Sequence, residues 1–409
     1  MNFYNFLKKS IKKIKNFIKI VLGIKYYFYK GLKKYDLIVF DTIFPHPISG
    51  FRLEEFKILL SHFKNSKILL SSESYSLVKS SKELHKIHIN DFLNKNINLK
   101  NKLKPFKGFL NINTKLFYCI FLNNMIKFID TLEEKKIPFI FTLYPGGGFQ
   151  MDDEISNFKL KKICSSSYFK TVIVTQKITK EYLLKNNFCK EDKIKLIFGG
   201  VVPQNSLKNN LEKKYYFKDK NTLDICFCAA KYMPKGIDKG YDVFIKLAHN
   251  LSHKYNFINF HIIGGYNEEE IDVTTIKNNI TFYGYLNFTE LETIFKNIDI
   301  IISPNKSFVL YNGAFDGFPL GTVVEAALNG VMVILSDDLN QNTLFIDNQE
   351  LIITESTSES IEKIILNLID NPNKLVEIAK NGKEKFQKVY SNNNQMKPRI
   401  EILENFINN

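Results

Sequence analysis

At 409 residues the chain is longer than one ordinary domain and suits two of roughly 150–200 residues each. Hydrophobic residues make up 44% and aromatic residues 14%, enough to fill two cores, which excludes wholesale disorder. The net charge of +15 is uneven: residues 1–35 carry ten lysines and no acid, so a basic arm sits beside a nearly balanced body, a pattern that favours an anionic lipid surface over nucleic acid.

The first 34 residues have helical periodicity. Phe3, Leu7, Ile11, Ile14, Ile18, Val21 and Leu22 form one stripe, flanked by Lys8, Lys12, Lys15 and Lys19. Such a helix suits a membrane interface, and residues 1–30 are expected to bind an anionic membrane surface. The segment lacks the uninterrupted apolar core and cleavage site of a signal peptide. No clean apolar run of about eighteen residues is present, so no spanning helix is expected.

From Tyr35 the pattern becomes strand–helix alternation. Asp36–Phe40, Lys67–Ser72, Pro138–Tyr144 and Thr171–Thr175 are short apolar runs, with amphipathic stretches such as Arg52–Lys64 and Phe121–Lys135 between them. After a polar, basic stretch over Gln204–Asn221 the alternation restarts with Asp224–Ala229, Asn259–Gly265, Ile280–Gly284, Ile298–Pro304, Val331–Ser336 and Leu351–Glu355. Continuous apolar strands alternating with helices imply parallel sheets covered on both faces. The expected architecture is α/β, with doubly wound domains over 35–205 and 206–385 and a helical tail over 386–409, for which a crossing back to the first domain is open. Ligands bind such sheets at the carboxyl ends of the strands.

Candidate chemistry concentrates in Asp316–Asp338. Gly317 and Gly321 allow close backbone approach, and amides at a helix start suit phosphate. The carboxylates of Asp316 and Glu325 can accept hydrogen bonds from sugar hydroxyls. In Cys228–Ala248, Lys231 ends a strand and Lys239-Gly240 precedes a helix, placing two cations where a diphosphate can be neutralised. Two glycine-bearing loops in the first half, with Ser49 and Gly50 in one and Tyr144, Gly146 and Gly147 in the other, also follow strands. His249 with His253, and His85 with His88, lack a third metal ligand, and no Asp-x-Asp motif is present, so no metal site is expected. The five cysteines lack zinc-ligand spacing and imply a reducing cytosol.

The Asp316–Asp338 segment resembles the Glu-x7-Glu region of glycosyltransferase family 4, enzymes with the GT-B fold of two Rossmann-like domains facing across a cleft. Asp replaces the first Glu here, and eight residues rather than seven separate the pair. The resemblance implies a retaining transferase that takes a sugar from a nucleotide sugar. Glu325 would bind the ribose and Asp316 the donor sugar, with Gly317, Phe318, Pro319, Leu320, Gly321 and Thr322 as the supporting loop. Lys231 and Lys239 would match the family's diphosphate-binding Arg and Lys, Gly264 a glycine turn near the nucleotide, and Ser49-Gly50 a loop against the donor phosphates. Tyr144 stands near the position where many relatives have a donor-sugar His. The resemblance further implies no cofactor or metal and a saccharide or lipid-linked acceptor. It places the protein at the cytoplasmic face of a bacterial membrane, in cell-surface glycan synthesis. The alternatives are an epimerase or phosphorylase of the same fold, or a non-catalytic membrane scaffold.

Overall fold

The computed structural model describes residues 34–408 except 79, 110–111, 204–206 and 208–211. The basic helix expected before Lys34 lies outside the described residues.

The first sheet contains seven parallel strands: β1 (Tyr35–Asp41), β2 (Ser66–Leu70), β3 (Leu103–Pro105), β4 (Thr114–Ile120), β5 (Phe139–Leu143), β6 (Phe169–Val174) and β7 (Ile194–Leu196). Their order is β3-β2-β1-β4-β5-β6-β7, all pairs parallel. The second contains β8 (Leu223–Cys228), β9 (Ile258–Ile263), β10 (Ile280–Phe282), β11 (Ile300–Ser303), β12 (Met332–Leu335) and β13 (Ile352–Ile353). Its order is β10-β9-β8-β11-β12-β13, again parallel. Both sheets therefore reverse direction beside their first strand, opening a crevice between β1 and β4 and another between β8 and β11.

Helices cover both faces, so strand residues of either parity are buried. Leu37 and Val39 face one cluster of the first sheet and Ile38 and Phe40 the other. In the second sheet Ile300 and Ile302 are likewise divided from Ile301. Burying one such aliphatic side chain stabilises the fold by about 1.5–3 kcal/mol, which is why these runs hold the strands against their modest intrinsic propensities.

Several elements of the first domain differ from the sequence reading. Thr114–Ile120 is the central strand β4, between β1 and β5. It runs into the apolar Phe121-Leu122 with no glycine or proline at the boundary, so the pattern does not show the switch. The turn is made by Phe121 itself at φ 72°, and the expected Phe121–Lys135 helix is two short ones, Leu122–Ile126 and Ile129–Glu134. The helix Lys82–Lys95 escapes periodicity because Phe92 is its one residue recorded as buried.

The chain passes from the first sheet to the second between Leu196 and Leu223, then returns. Helix Pro372–Val389 packs in the second domain, whereas Met396, Leu403 and Ile407 of helix Asn392–Ile407 join the core over β1 and β2. His62 and Glu404 meet at 2.7 Å on this seam. Phe198 and Val202 in turn pack with Phe386 and Tyr390. These crossings, together with Phe315 of the second domain entering the first domain's core beside Phe149, fix how the two crevices face each other.

Candidate active site

Loops after β8 and β11 build the crevice of the second domain. Gly240 has φ 71°, and a Cβ there would lie 2.1 Å from the Pro304 carbonyl oxygen, so only glycine lets the two loops touch. That contact seats Lys239 against the loop following β11. Lys239 is only 3% exposed. Its Nζ lies 2.5 Å from Asp316 Oδ2 and 3.7 Å from Asp238 Oδ2, and 5.0 Å from the centre of the Tyr232 ring. Asn305 Nδ2 donates to the same Asp316 oxygen at 3.1 Å, and Gln341 Nε2 to the Asp316 carbonyl at 3.2 Å. Neither oxygen of Asp238 accepts a hydrogen bond, and burial raises the pKa of this carboxyl.

Asp316 opens onto a small polar cavity whose lining includes Asn305, Ser307, Gly317, Pro319, Asp337 and Gln341. Gly317–Leu320 then leads into helix Gly321–Leu328, whose N-cap Leu320 has no side-chain acceptor to offer. The amides of Gly321, Thr322 and Val323 consequently have no partner within the helix and carry its positive end. Glu325 follows one turn later. Its carboxyl has no hydrogen-bond partner in the described residues, and burial, with Glu292 nearby, pushes its pKa up to about 8.

The arrangement brings a buried ammonium, a carboxylate, free helix-start amides and an unpaired carboxyl to one loop. Residues 232–385, which contain this loop, match the family model for glycosyl transferases group 1. This segment is that of a glycosyltransferase of the group 1 type. The chain is 23% identical over 301 residues to an uncharacterized glycosyltransferase of Methanocaldococcus jannaschii, covering 70% of this chain and 74% of that one. Among solved structures it is similar to a glycosyltransferase from Rickettsia africae, with TM-score 0.62 and 16% identity, covering 92% of this chain and 100% of the other. Similarity to Anabaena HepE, solved in complex with UDP and glucose, has TM-score 0.63 and 13% identity over 89% and 99% of the two chains. At these identities the structural likeness establishes the fold, which is GT-B.

Within the transferase, Lys239, Asp316 and Gly317–Gly321 come together, while other expected site residues have different surroundings. Lys231 is ion-paired with Glu270, whose other oxygen accepts from the Lys235 amide at 3.1 Å. Phe318 faces the core, so only its backbone is presented to the crevice. The Thr322 hydroxyl, expected on the donor, donates instead to the Cys228 carbonyl at 2.7 Å and ties the helix start to β8. Gly264 has φ 131°, and a Cβ would lie 2.1 Å from the Ala229 carbonyl oxygen. This glycine is required by the close approach of two loop backbones.

In the first domain Ser49 is buried and accepts from Arg52 Nη1 at 2.7 Å, while Arg52 Nε donates to Asp41 Oδ2 at 3.3 Å. A Cβ on Gly50 would lie 3.1 Å from the Phe288 ring, so this glycine serves a contact between the domains. Gly146 has open space around it, whereas a Cβ on Gly147 would overlap the Phe121 ring at 2.1 Å. Tyr144, expected with Ser49, Gly146 and Gly147 on the acceptor or donor-sugar side, is 8% exposed and its hydroxyl donates to Glu55 Oε2 at 3.0 Å. Its neighbour Glu55 is fully buried, and drawing the phenol inward satisfies that carboxylate.

Sequence reasoning missed Asn305, Gln341, Asp238, Tyr232 and Gln176. Asn305 was within reach, since it follows the strand ending in Pro304 at the edge where ligands bind. Gln176, from the first domain, donates to the Phe318 carbonyl at 3.3 Å, and nothing in its sequence surroundings marks this.

Proposed function

We propose that the transferase takes a sugar from a nucleoside diphosphate sugar and passes it, with retention, to a hydroxyl of a saccharide or lipid-linked acceptor, in the manner of glycosyltransferase family 4. The observation that carries this reading is the Lys239–Asp316 contact at the mouth of the Gly317–Gly321 loop. An incoming diphosphate competes with Asp316 for the ammonium. Once displaced, Asp316 is free to accept from a hydroxyl of the donor sugar. The phosphate oxygens meet Lys239 and the amides at Gly321–Val323, where a developing negative charge is stabilised without solvent reorganisation. Glu325, unpaired one turn further on, accepts from the ribose.

In the transfer step the bond from the anomeric carbon to the diphosphate oxygen breaks while the acceptor oxygen attacks on the same face. The acceptor proton passes to the departing diphosphate. Cationic side chains and amides take the place of a metal in this scheme, and no covalent nucleophile is invoked. The ten lysines in residues 1–35 support attachment to the inner face of a bacterial membrane, where lipid-linked precursors of cell-surface glycans are presented. That HepE was solved with UDP and glucose makes UDP-sugars the first donors to test.

The test is nucleotide release from a panel of UDP-, GDP- and ADP-sugars in the presence of EDTA, followed by NMR of the glycoside. Retained configuration and chelator-insensitive turnover are expected. An inverted product, or activity abolished by EDTA and restored by a divalent cation, overturns the mechanism.

A further inference from the structure

Lys239 stands between two carboxylates that differ in their freedom to leave it. Asp316 Oδ2 is the nearer, at 2.5 Å, and its side chain is 34% exposed on a loop with glycine at the next position. Asp238 Oδ2 lies 3.7 Å from the same Nζ, on a side chain only 4% exposed. Asp238 sits in the turns of Pro234–Lys239, and its carbonyl accepts from the Lys306 amide at 3.0 Å. Gly240 then locks these turns against the Pro304 backbone. Asp316 can move aside for a ligand, whereas Asp238 is fixed. Other cations around it are committed: Lys306 Nζ pairs with Asp242 at 2.9 Å, and Lys231 with Glu270. Among the described residues Lys239 is the one cation in contact with Asp238, whose oxygens accept no hydrogen bond. Neither oxygen holds an amide or hydroxyl in place, so the fold gains no such bond from a carboxylate that is costly to bury. What this carboxylate changes is the field at Lys239.

We propose that Asp238 is a positioning residue that acts through Lys239: a fixed counter-charge that limits how tightly the ammonium holds the nucleoside diphosphate left after transfer. This rests on the donor reading above. In the empty site the ammonium faces two carboxylates and one aromatic ring, that of Tyr232. A donor displaces Asp316 but has to share Lys239 with Asp238, which stays in place. Once the sugar has been transferred, Asp316 loses its hydroxyl partner and is free to return to the ammonium. The diphosphate product then competes with both carboxylates and leaves. At an effective dielectric of about 20, like charges roughly 6 Å apart repel enough to change a dissociation constant by at least about tenfold. No bond-making or bond-breaking is assigned to Asp238. Its effect is on how long the product stays, a step that sets turnover in many enzymes.

The experiment measures binding of UDP, GDP and ADP to the full chain by calorimetry and continues with the one that binds most tightly. In Asp238→Asn, which keeps the shape and removes the charge, the Kd of that diphosphate should fall by about tenfold. The matching monophosphate should change less, because it lacks the terminal phosphate. With the sugar donors of that nucleotide, kcat and KM should fall together, as they do when product release slows. Asp238→Glu retains the charge and should retain the wild-type Kd; should Asp238→Asn fail to fold, the neutral Asp238→Ser takes its place. A damaged pocket loosens its ligand, so a diphosphate Kd that is unchanged or raised in the folded neutral variant overturns the proposal and leaves the donor reading standing. If none of the three diphosphates binds the wild-type chain, the donor reading falls and this proposal with it.

Discussion

The carboxyl edges of the two sheets contain similar charged residues, yet they use them differently. In the first domain Glu55 accepts from Tyr118 and Tyr144. Arg399, buried in the same seam, donates to the Gln395 carbonyl at 2.7 Å and reaches Tyr144 and the Gly199 carbonyl at 3.5 Å. Asp41 accepts from the amides of Ile43 and Phe44 at 2.8 and 2.7 Å. In the second domain Asp238 accepts no hydrogen bond, Glu325 has no partner in the described residues, and Lys239 depends on Asp316. Buried charges that are satisfied internally hold architecture together, whereas under-satisfied ones are poised for a ligand. In the proposed reaction this contrast assigns the donor to the second domain, although Glu54 Oε1 and Arg399 Nε in and beside the first domain also lack partners.

Lys239→Ala breaks this contrast most severely. Loss of the ammonium should lower kcat/KM for transfer by about 10²- to 10³-fold, the range found when one stabiliser of developing charge is removed. The fold should survive, and circular dichroism together with steady-state kinetics checks both points. Arg399→Met attacks the opposite side. With Glu55 left buried near a lost cation, stability should fall by about 3 kcal/mol, read as a lower midpoint in urea, while folded protein keeps its donor affinity. If Arg399→Met instead abolished donor binding without destabilisation, the division between the two edges would be wrong.

Glu325→Gln is a milder change. It should weaken nucleotide-sugar binding by roughly tenfold, the value of one hydrogen bond to a charged group. The sign of its pH dependence follows from the raised pKa: in the free protein the carboxyl is largely protonated below about pH 8 and becomes the stronger acceptor as pH rises. Donor affinity measured by calorimetry should therefore increase between pH 6 and 9 in the wild type and stay flat in Glu325→Gln. The smallest effect is expected from removing residues 1–30, which should leave transfer to a soluble acceptor unchanged and abolish co-sedimentation with anionic liposomes.

How much of this was readable in advance depended on punctuation. Every strand of the second sheet falls within an apolar run bounded by polar or glycine-containing segments, and Lys239, Asp316 and Glu325 stand out because they interrupt that pattern at strand ends or a helix start. In the first sheet the same rule found β1, β2, β5 and β6 but not the three-residue strands β3 and β7 at its edges. It lost β4 in an unbroken apolar stretch, where a single positive φ at Phe121 makes the turn. For Tyr144 the pattern is silent, because a strand-end aromatic can face the crevice or the core. A carboxylate from Gly50–His62 and a guanidinium from the last helix, distant in sequence, draw its hydroxyl inward.

By itself the sequence determined two parallel sheets wrapped by helices, the basic start of the chain, and the glycine-bearing loop with its two carboxylates. Those features are local, because alternating periodicity, charge density and glycine content are properties of short windows. Tertiary structure alone decided which charges remain unsatisfied. It paired Lys239 with Asp316, Lys231 with Glu270 and Tyr144 with Glu55, and brought Gln176 across to Phe318. Each of these contacts joins residues far apart along the chain, and their energy depends on distance and burial that no window of sequence contains.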